Sequence, residues 1–135
     1  MDIKAYEYMF NGLTEYNNSV AQNYGNVIVK YPTTDTTYPH TIFTEIRNTA
    51  NPNYNGCFER VANVGYRVDI YAKTKGNVPK SSIAREIALI VDKYLTNIGL
   101  TRVSFNAIEL ENKASIYHII MTYSGNLYEN KRKLI

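Results

Sequence analysis

The sequence has no tryptophan, one cysteine and two histidines in 135 residues. The scarcity of cysteine and histidine limits the disulfides and metal sites that the chain can form. Cys57, as the sole cysteine, forms no disulfide within the chain and leaves no CxxC motif for a metal or a redox reaction. His40 and His118 show no HxH or HExxH spacing, so we expect no bound metal and no other cofactor. Neither sign of charge dominates, because 15 basic and 12 acidic residues give a net charge of only +3. Nucleic-acid-binding proteins usually concentrate positive charge on one face.

Long apolar runs are missing as well. The longest aliphatic stretch, residues 87–91, is far shorter than the ~20 residues that a membrane span needs. The N-terminal residues lack the apolar segment of a signal peptide. We therefore expect a soluble, intracellular product without membrane contact, and the single cysteine fits a reducing compartment.

The most regular pattern lies between Gly65 and Phe105. Residues 66–73 alternate between apolar and polar side chains, which predicts a strand that packs on a core with one face only. Apolar residues then recur every three or four positions up to Ile98, which predicts an amphipathic helix. Pro79 sets the start of this helix, Ser81 or Ser82 can cap it, and Gly99 can end it in a left-handed conformation. A second strand follows.

Similar patterns predict the remaining elements. Asp2 can cap a first helix with a one-sided apolar stripe. The strands are predicted at 27–31, 40–47, 57–73 (one strand, or two broken near Gly65), 100–110 with a bulge near Asn106, and 116–123, with turns at 32–39, 48–56 and 112–113.

The predicted order is helix, three strands, helix, two strands. It indicates an α+β domain with two layers, in which a four- to five-stranded, mostly antiparallel sheet carries both helices on one face. Residues 1–135 form a single domain with an N-terminal helix (1–20), strands with long loops (26–73), a main helix (80–98), C-terminal strands (101–124) and a basic tail (125–135).

Reactive motifs are sparse. The chain has no GxSxG, P-loop or GxGxxG sequence, and residues 76–82 lack the spacing of a phosphate-binding loop although they precede a helix. Asp69 and His118 share the polar phase of two predicted strands, which permits an acid–base pair. We interpret both as residues of a solvated or subunit-facing sheet surface and expect no catalysis. Arg67, Tyr71, Lys73 and the basic tail could instead bind nucleic acid on the sheet, although the aromatic and glycine signature of RNA-binding sheets is missing.

The segment YRVDIYAKTKGNVPKSSIAREIALIVDKYLTNIGLTRVSF resembles the central block of the tail-terminator, or tail-completion, proteins of long-tailed bacteriophages and phage-tail-like particles. In that family a strand of similar pattern runs into a helix that ends in a glycine, an apolar residue, threonine and arginine. The initial helix, the strand TIFTEI after Tyr38-Pro39 and the closing IYHIIMTYSG are further similarities. They cover most of the chain in order and length.

The resemblance implies a virion structural protein that assembles in the bacterial cytoplasm. Six copies would form a ring on the tail tube, stop its polymerisation and join it to the connector and neck proteins, with DNA only passing through. A connector or neck protein is one alternative, and a small nucleic-acid-binding domain is another. As contacts to neighbouring subunits, tube or neck we select residues of the turns, the polar strand face and the tail: Thr34, Asp35, Thr37, Tyr38, Asn53, Tyr54, Arg67, Asp69, Tyr71, Lys73, Lys131 and Arg132.

Overall fold

The computed structural model describes residues 4–20, 26–30, 38–50, 61–109, 116–128 and 133–134. The predicted order of two helices and five strands is confirmed, and a short sixth strand follows it. The elements are α1 (Ala5–Val20), β1 (Val27–Val29), β2 (His40–Ala50), β3 (Val61–Lys73), α2 (Lys80–Asn97), β4 (Thr101–Glu109), β5 (Ile116–Tyr128) and β6 (Lys133–Leu134).

The strands form one sheet in the order β1-β2-β3-β5-β4, and β6 pairs with β5. β1 runs parallel to β2, and the other pairs are antiparallel. β3 and β5 pair along their whole length, from Val61 opposite Tyr128 to Lys73 opposite Ile116. The two helices pack on one side of this sheet, so the predicted two-layer α+β domain is confirmed.

The core lies between the helices and one face of the sheet. The apolar phase of β3, from Tyr66 to Ala72, is fully buried there, as the alternation predicts. The apolar phase of β5 and the stripes of the two helices are buried in the same layer: Ile119, Met121 and Tyr123; Ala5, Met9 and Leu13; Ile83, Ile87, Val91 and Leu95.

The start of α2 differs from the prediction. Pro79 occupies the N-cap position without a side-chain cap, and Ser81 and Ser82 lie inside the helix. The amide of Lys80 instead donates to Thr74 Oγ1 at 3.3 Å, a contact from outside the helix that replaces the serine cap. At the other end Gly99 has φ of 108°, which confirms the left-handed residue after the helix.

Several strand bounds also differ, because pairing partners set them. β2 continues through the first three residues of the predicted 48–56 turn, since Asn48, Thr49 and Ala50 pair with β3. β3 runs unbroken through Gly65, which has a partner in both neighbouring strands. The predicted bulge of β4 near Asn106 is wrong, because the register shifts between Arg102 and Ser104.

The predicted C-terminal tail is partly strand. β5 extends to Tyr128 and β6 pairs with its last residues, so two parts of 125–135 belong to the sheet. β1 ends at Val29 rather than at residue 31. The proposed cap Asp2, the turns at 32–37, 51–56 and 112–113, and the 57–60 part of the predicted third strand lie outside the described residues.

A buried polar network joins α1 to the sheet. Asn17 donates from Nδ2 to the carbonyl of Asn26 at 3.0 Å, and Asn26 donates to Asn17 Oδ1 at 2.8 Å. Thr41 completes it by donating to Asn26 Oδ1 at 3.0 Å. Since these side chains satisfy one another away from water, they fix the end of α1 against β1 and β2. Neither described helix is long and apolar enough to cross a membrane.

Candidate functional site

The candidate site lies on the helix-free face, which is the side of the sheet that points away from α1 and α2. Five of the twelve predicted contact residues come together there: Tyr38, Arg67, Asp69, Tyr71 and Lys73. The other seven lie outside the described residues: Thr34, Asp35, Thr37, Asn53, Tyr54, Lys131 and Arg132. The structure therefore brings together the four candidates on β3 and Tyr38, which lies just before β2.

Four aromatic rings form a ladder across the helix-free face. The register places His40 opposite Tyr71 and Tyr71 opposite His118, so their side chains stand next to one another on β2, β3 and β5. The Tyr71 ring lies 5.1 Å from His40 and 4.2 Å from His118, nearly parallel to both. Tyr38 adds a tilted ring 5.0 Å from His40, and the Lys73 ammonium lies 4.5 Å from the centre of the Tyr38 ring.

An ion cluster adjoins this ladder. Asp69 Oδ1 accepts a hydrogen bond from His118 Nε2 at 2.9 Å and a second from Arg67 Nη2 at 2.9 Å. Asp69 Oδ2 accepts from Arg67 Nε, also at 2.9 Å. The acid–base pair that the sequence permits is thus formed. Of the two interpretations of this surface, solvated or subunit-facing, the solvated one is wrong for these two residues, since Asp69 is only 6% and His118 only 7% exposed. The subunit-facing one stays a prediction.

Burial and pairing act on the pKa values of the cluster in opposite directions. Burial raises the pKa of Asp69, but the hydrogen bonds from His118 and Arg67 outweigh it, so the pKa lies below its ordinary value. The hydrogen bond with Asp69 raises the pKa of Arg67. Burial, followed by the charge of Asp69, raises the pKa of Tyr71. Asp69 therefore stays ionised and Tyr71 stays neutral at neutral pH.

This arrangement limits what the face can do chemically. Both oxygens of Asp69 are engaged by its neighbours, and both faces of the Tyr71 ring are covered by imidazoles. A base that stacks on Tyr71 would first have to separate the ladder, which counts against the stacking mode of nucleic-acid binding. Within the described ranges, no three His, Cys, Asp or Glu side chains are grouped closely enough to hold a metal ion.

A second feature lies where the sheet ends at β4. An open pocket of about 170 Å³ separates α2 from β4, and Phe105 lies in it between two arginines. The guanidinium carbons of Arg85 and Arg102 are 5.7 and 5.8 Å from the centre of the Phe105 ring. Leu89 on α2 and Val103 on β4 are 68% and 65% exposed. We call this surface the α2–β4 end.

The opposite end of the sheet carries another open pocket of about 170 Å³. It lies beside Tyr6 of α1, Lys30 after β1, and Thr44 and Glu45 of β2. Lys30 Nζ also pairs with Glu7 of α1 at 2.6 Å. We call this surface the α1–β2 end.

No protein-family model matches this chain, and a search of curated proteins found no match. Function is therefore inferred from the geometry and from the resemblance described above.

The sequence alone did not predict the ring ladder or the α2–β4 end. His40 and His118 belong to the ring ladder, yet their link through Tyr71 depends on the order of the strands in the sheet. The α2–β4 end had one signal in the sequence. β4 carries apolar residues in both phases, with Phe105 on the helix side and Ile108 on the other. This pattern is typical of a strand that is covered on both faces.

Proposed function

We propose that the protein is a virion structural protein that assembles as a ring, capping the tail tube of a bacteriophage or a phage-tail-like particle. In this role six copies stop tube polymerisation and form the junction to the connector and neck proteins. No catalytic step is part of the proposal. The resemblance of the chain to tail terminators supplies the starting point.

One observation carries the proposal, namely the internal bonding of the helix-free face. None of the described helices covers this face, yet its central polar groups bind one another rather than present a reactive group. Such a face needs neither a second layer nor a ligand to be satisfied. It suits a rigid wall, which a ring around a passage needs.

The rim of the same face supports this role. Arg67 and Lys73 are exposed at opposite sides of the buried cluster, and because Asp69 offsets the charge of Arg67, Lys73 gives the wall a modest positive charge. A few exposed cations attract a passing polyanion without holding it tightly, because firm phosphate binding needs many such contacts. The mild net charge of +3 agrees with that reading.

The proposal is tested on self-polymerising tube protein. Added purified protein is expected to shorten the tubes and to place a ring at one end, as measured by electron microscopy of length distributions and tube ends. An unrelated protein of similar size at the same concentration serves as the control. Unchanged tube length together with bare ends would overturn the proposed function.

Two further measurements separate the alternatives. A connector or neck protein is expected to leave bare tubes unchanged and to bind only tubes that a terminator already caps. A small nucleic-acid-binding domain is expected to bind short oligonucleotides as a monomer, with an affinity that falls steeply as salt rises. Either result replaces the terminator function with a specific alternative.

A further inference from the structure

We infer that copies of this chain join head to tail, with the α2–β4 end of one copy seated on the α1–β2 end of the next. The inference names the contacts within the ring proposed above and rests on that function. Joining two different surfaces is what closes a ring, whereas joining a surface to itself gives a two-fold dimer.

Apolar exposure is concentrated along the two edges of the sheet. Seven large apolar side chains among the described residues are at least 36% exposed, and six of them lie at one edge or the other. Leu89, Val103, Phe105 and Ile108 belong to α2 and β4, whereas Val27 and Ile46 belong to β1 and β2 and face the helix-free side. Exposed apolar residues along both edges of a sheet indicate two docking surfaces.

The charges of the two ends are complementary. Among the described residues around its pocket, the α2–β4 end has two arginines (Arg85 and Arg102) and one carboxylate (Asp92). Among those around the pocket of the α1–β2 end, two carboxylates (Glu7 and Glu45) accompany one lysine (Lys30), whereas the exposed Arg47 lies further along β2 on the helix-free side. Opposite charges on two surfaces favour contact between them and disfavour contact of either surface with itself.

Both charged surfaces lie in the same layer of the molecule. Phe105 faces the helix side of the sheet with Met121 as its partner, and Glu45 faces the same side with Tyr66 as its partner. Rotation about an axis parallel to the strands keeps the helix layer of one copy level with that of the next. The arginines beside Phe105 would then meet the carboxylates beside Tyr6.

Strand direction is compatible with this arrangement. β4 is antiparallel to β5, β5 to β3 and β3 to β2, so β4 runs opposite to β2. In the same rotation, β4 of one copy approaches β2 of the next in antiparallel orientation. Antiparallel pairing is the slightly more stable form, and it would continue the antiparallel pattern of the sheet from one copy to the next.

Charge reversal at the two ends tests the inference. The variant Arg85→Glu/Arg102→Glu and the variant Glu7→Lys/Glu45→Lys are each expected to weaken self-association at least about tenfold. Combining all four substitutions in one chain is expected to restore it, because both surfaces then change sign together. Self-association is measured by light scattering after gel filtration, and at tube ends by counting the copies in each bound assembly in electron micrographs.

The matched control is Lys75→Glu, which reverses the charge of an exposed lysine in the turn before α2, outside both ends. It is expected to assemble like the wild type. Circular dichroism and the midpoint of thermal unfolding verify that each variant is folded.

The outcomes separate the inference from the proposed function. If only Arg85→Glu/Arg102→Glu loses assembly, two copies join β4 to β4 and the head-to-tail contact is overturned. If every variant assembles like the wild type, or if the wild type is monomeric both in solution and on tubes, the inference is also overturned. Tube capping that survives all variants leaves the proposed function standing, whereas charge-dependent rings that never cap a tube overturn that function and keep the inference.

Discussion

At the scale of single residues, Asp69 is the central residue of the ion cluster on the helix-free face. Its carboxylate is buried, and it is bonded by an imidazole on one side and by a guanidinium on the other. Burying an ionised carboxylate costs free energy unless hydrogen-bonding and charged partners compensate for the lost water. Arg67 and His118 do so, which is why the pKa of Asp69 lies below its ordinary value.

Replacing Asp69 with asparagine therefore gives a pH-dependent loss of stability. The pKa of the folded state is depressed, so the stabilising contribution is present above the unfolded value of about 3.9 and is lost as the pH falls through the folded pKa. We expect Asp69→Asn to lower the free energy of unfolding by about 2–3 kcal/mol at neutral pH. The difference from the wild type should shrink below about pH 4, as measured by urea denaturation across the pH range.

Glu86→Gln is the matched control, because Glu86 is an exposed carboxylate on α2. Its unfolding curves should follow those of the wild type at each pH. A loss for Asp69→Asn that persists unchanged at pH 3 would show that the charge of the carboxylate is not what stabilises the cluster.

The sequence predicted the polar side of this site and permitted the pair of Asp69 and His118, but it did not predict the ring ladder. Alternation along β3 was enough to place Arg67, Asp69 and Tyr71 on one face, since the phase of a strand is a local property. The contact of Asp69 with His118, and of Tyr71 with His40, depends on β3 lying between β2 and β5. Strand order is set by the packing of the whole chain and leaves no local mark in the residues.

At the scale of elements, the contact between α1 and α2 depends on a glycine. A Cβ atom at Gly12 would overlap the Tyr94 hydroxyl and would lie 3.2 Å from Cζ of the same ring. Tyr94 cannot easily withdraw, because its ring packs 5.2 Å from that of Tyr16. Gly12 thus allows the two helices to approach, at the usual cost of a glycine within a helix.

The effect of Gly12→Ala should consequently change sign with the residue at position 94. In the wild type we expect it to lower the free energy of unfolding by about 1–3 kcal/mol through overpacking. In a Tyr94→Ala background the same substitution should raise the free energy by about 0.5–1 kcal/mol, because alanine favours the helix. Chemical denaturation of the four chains gives the coupling.

Asn11→Ala is the control for helix propensity at the neighbouring, exposed position. It should have the same effect with Tyr94 or with alanine at position 94. Equal effects of Gly12→Ala in both backgrounds would mean that Tyr94 does not limit the approach of the helices.

Elements were predicted well where their signal is local. The stripe of α2, its left-handed end at Gly99 and the buried phases of β3 and β5 follow from periodicity alone. The length of β2 and the position of the bulge in β4 were predicted incorrectly, and the continuity of β3 through Gly65 was left open, because hydrogen bonds to neighbouring strands determine them. The serine cap of α2 was wrong since Thr74 makes the contact instead.

At the scale of the whole molecule, no described strand covers the outer edge of β4 or the part of β2 beyond its first three residues. β4 has β5 as its one partner among the described strands, and β1 covers only the first three residues of β2. Open edges with apolar side chains favour pairing with other chains, and proteins that remain monomeric usually protect such edges. Here Leu89 on α2 and Val103 on β4 are exposed, so no described residue covers this edge where a neighbour could pair with it.

Hydrogen exchange can test whether the sheet continues from one copy to the next. Alternate amides of an edge strand point outward, so about half of those in β4 should exchange quickly in the isolated chain and slowly after assembly. Amides of β3 and β5 have neighbours on both sides and should be protected in both states. The Arg85→Glu/Arg102→Glu chain, kept from assembling, should retain fast exchange in β4. Rings in which β4 exchanges as fast as in the isolated chain would instead be held by side chains alone.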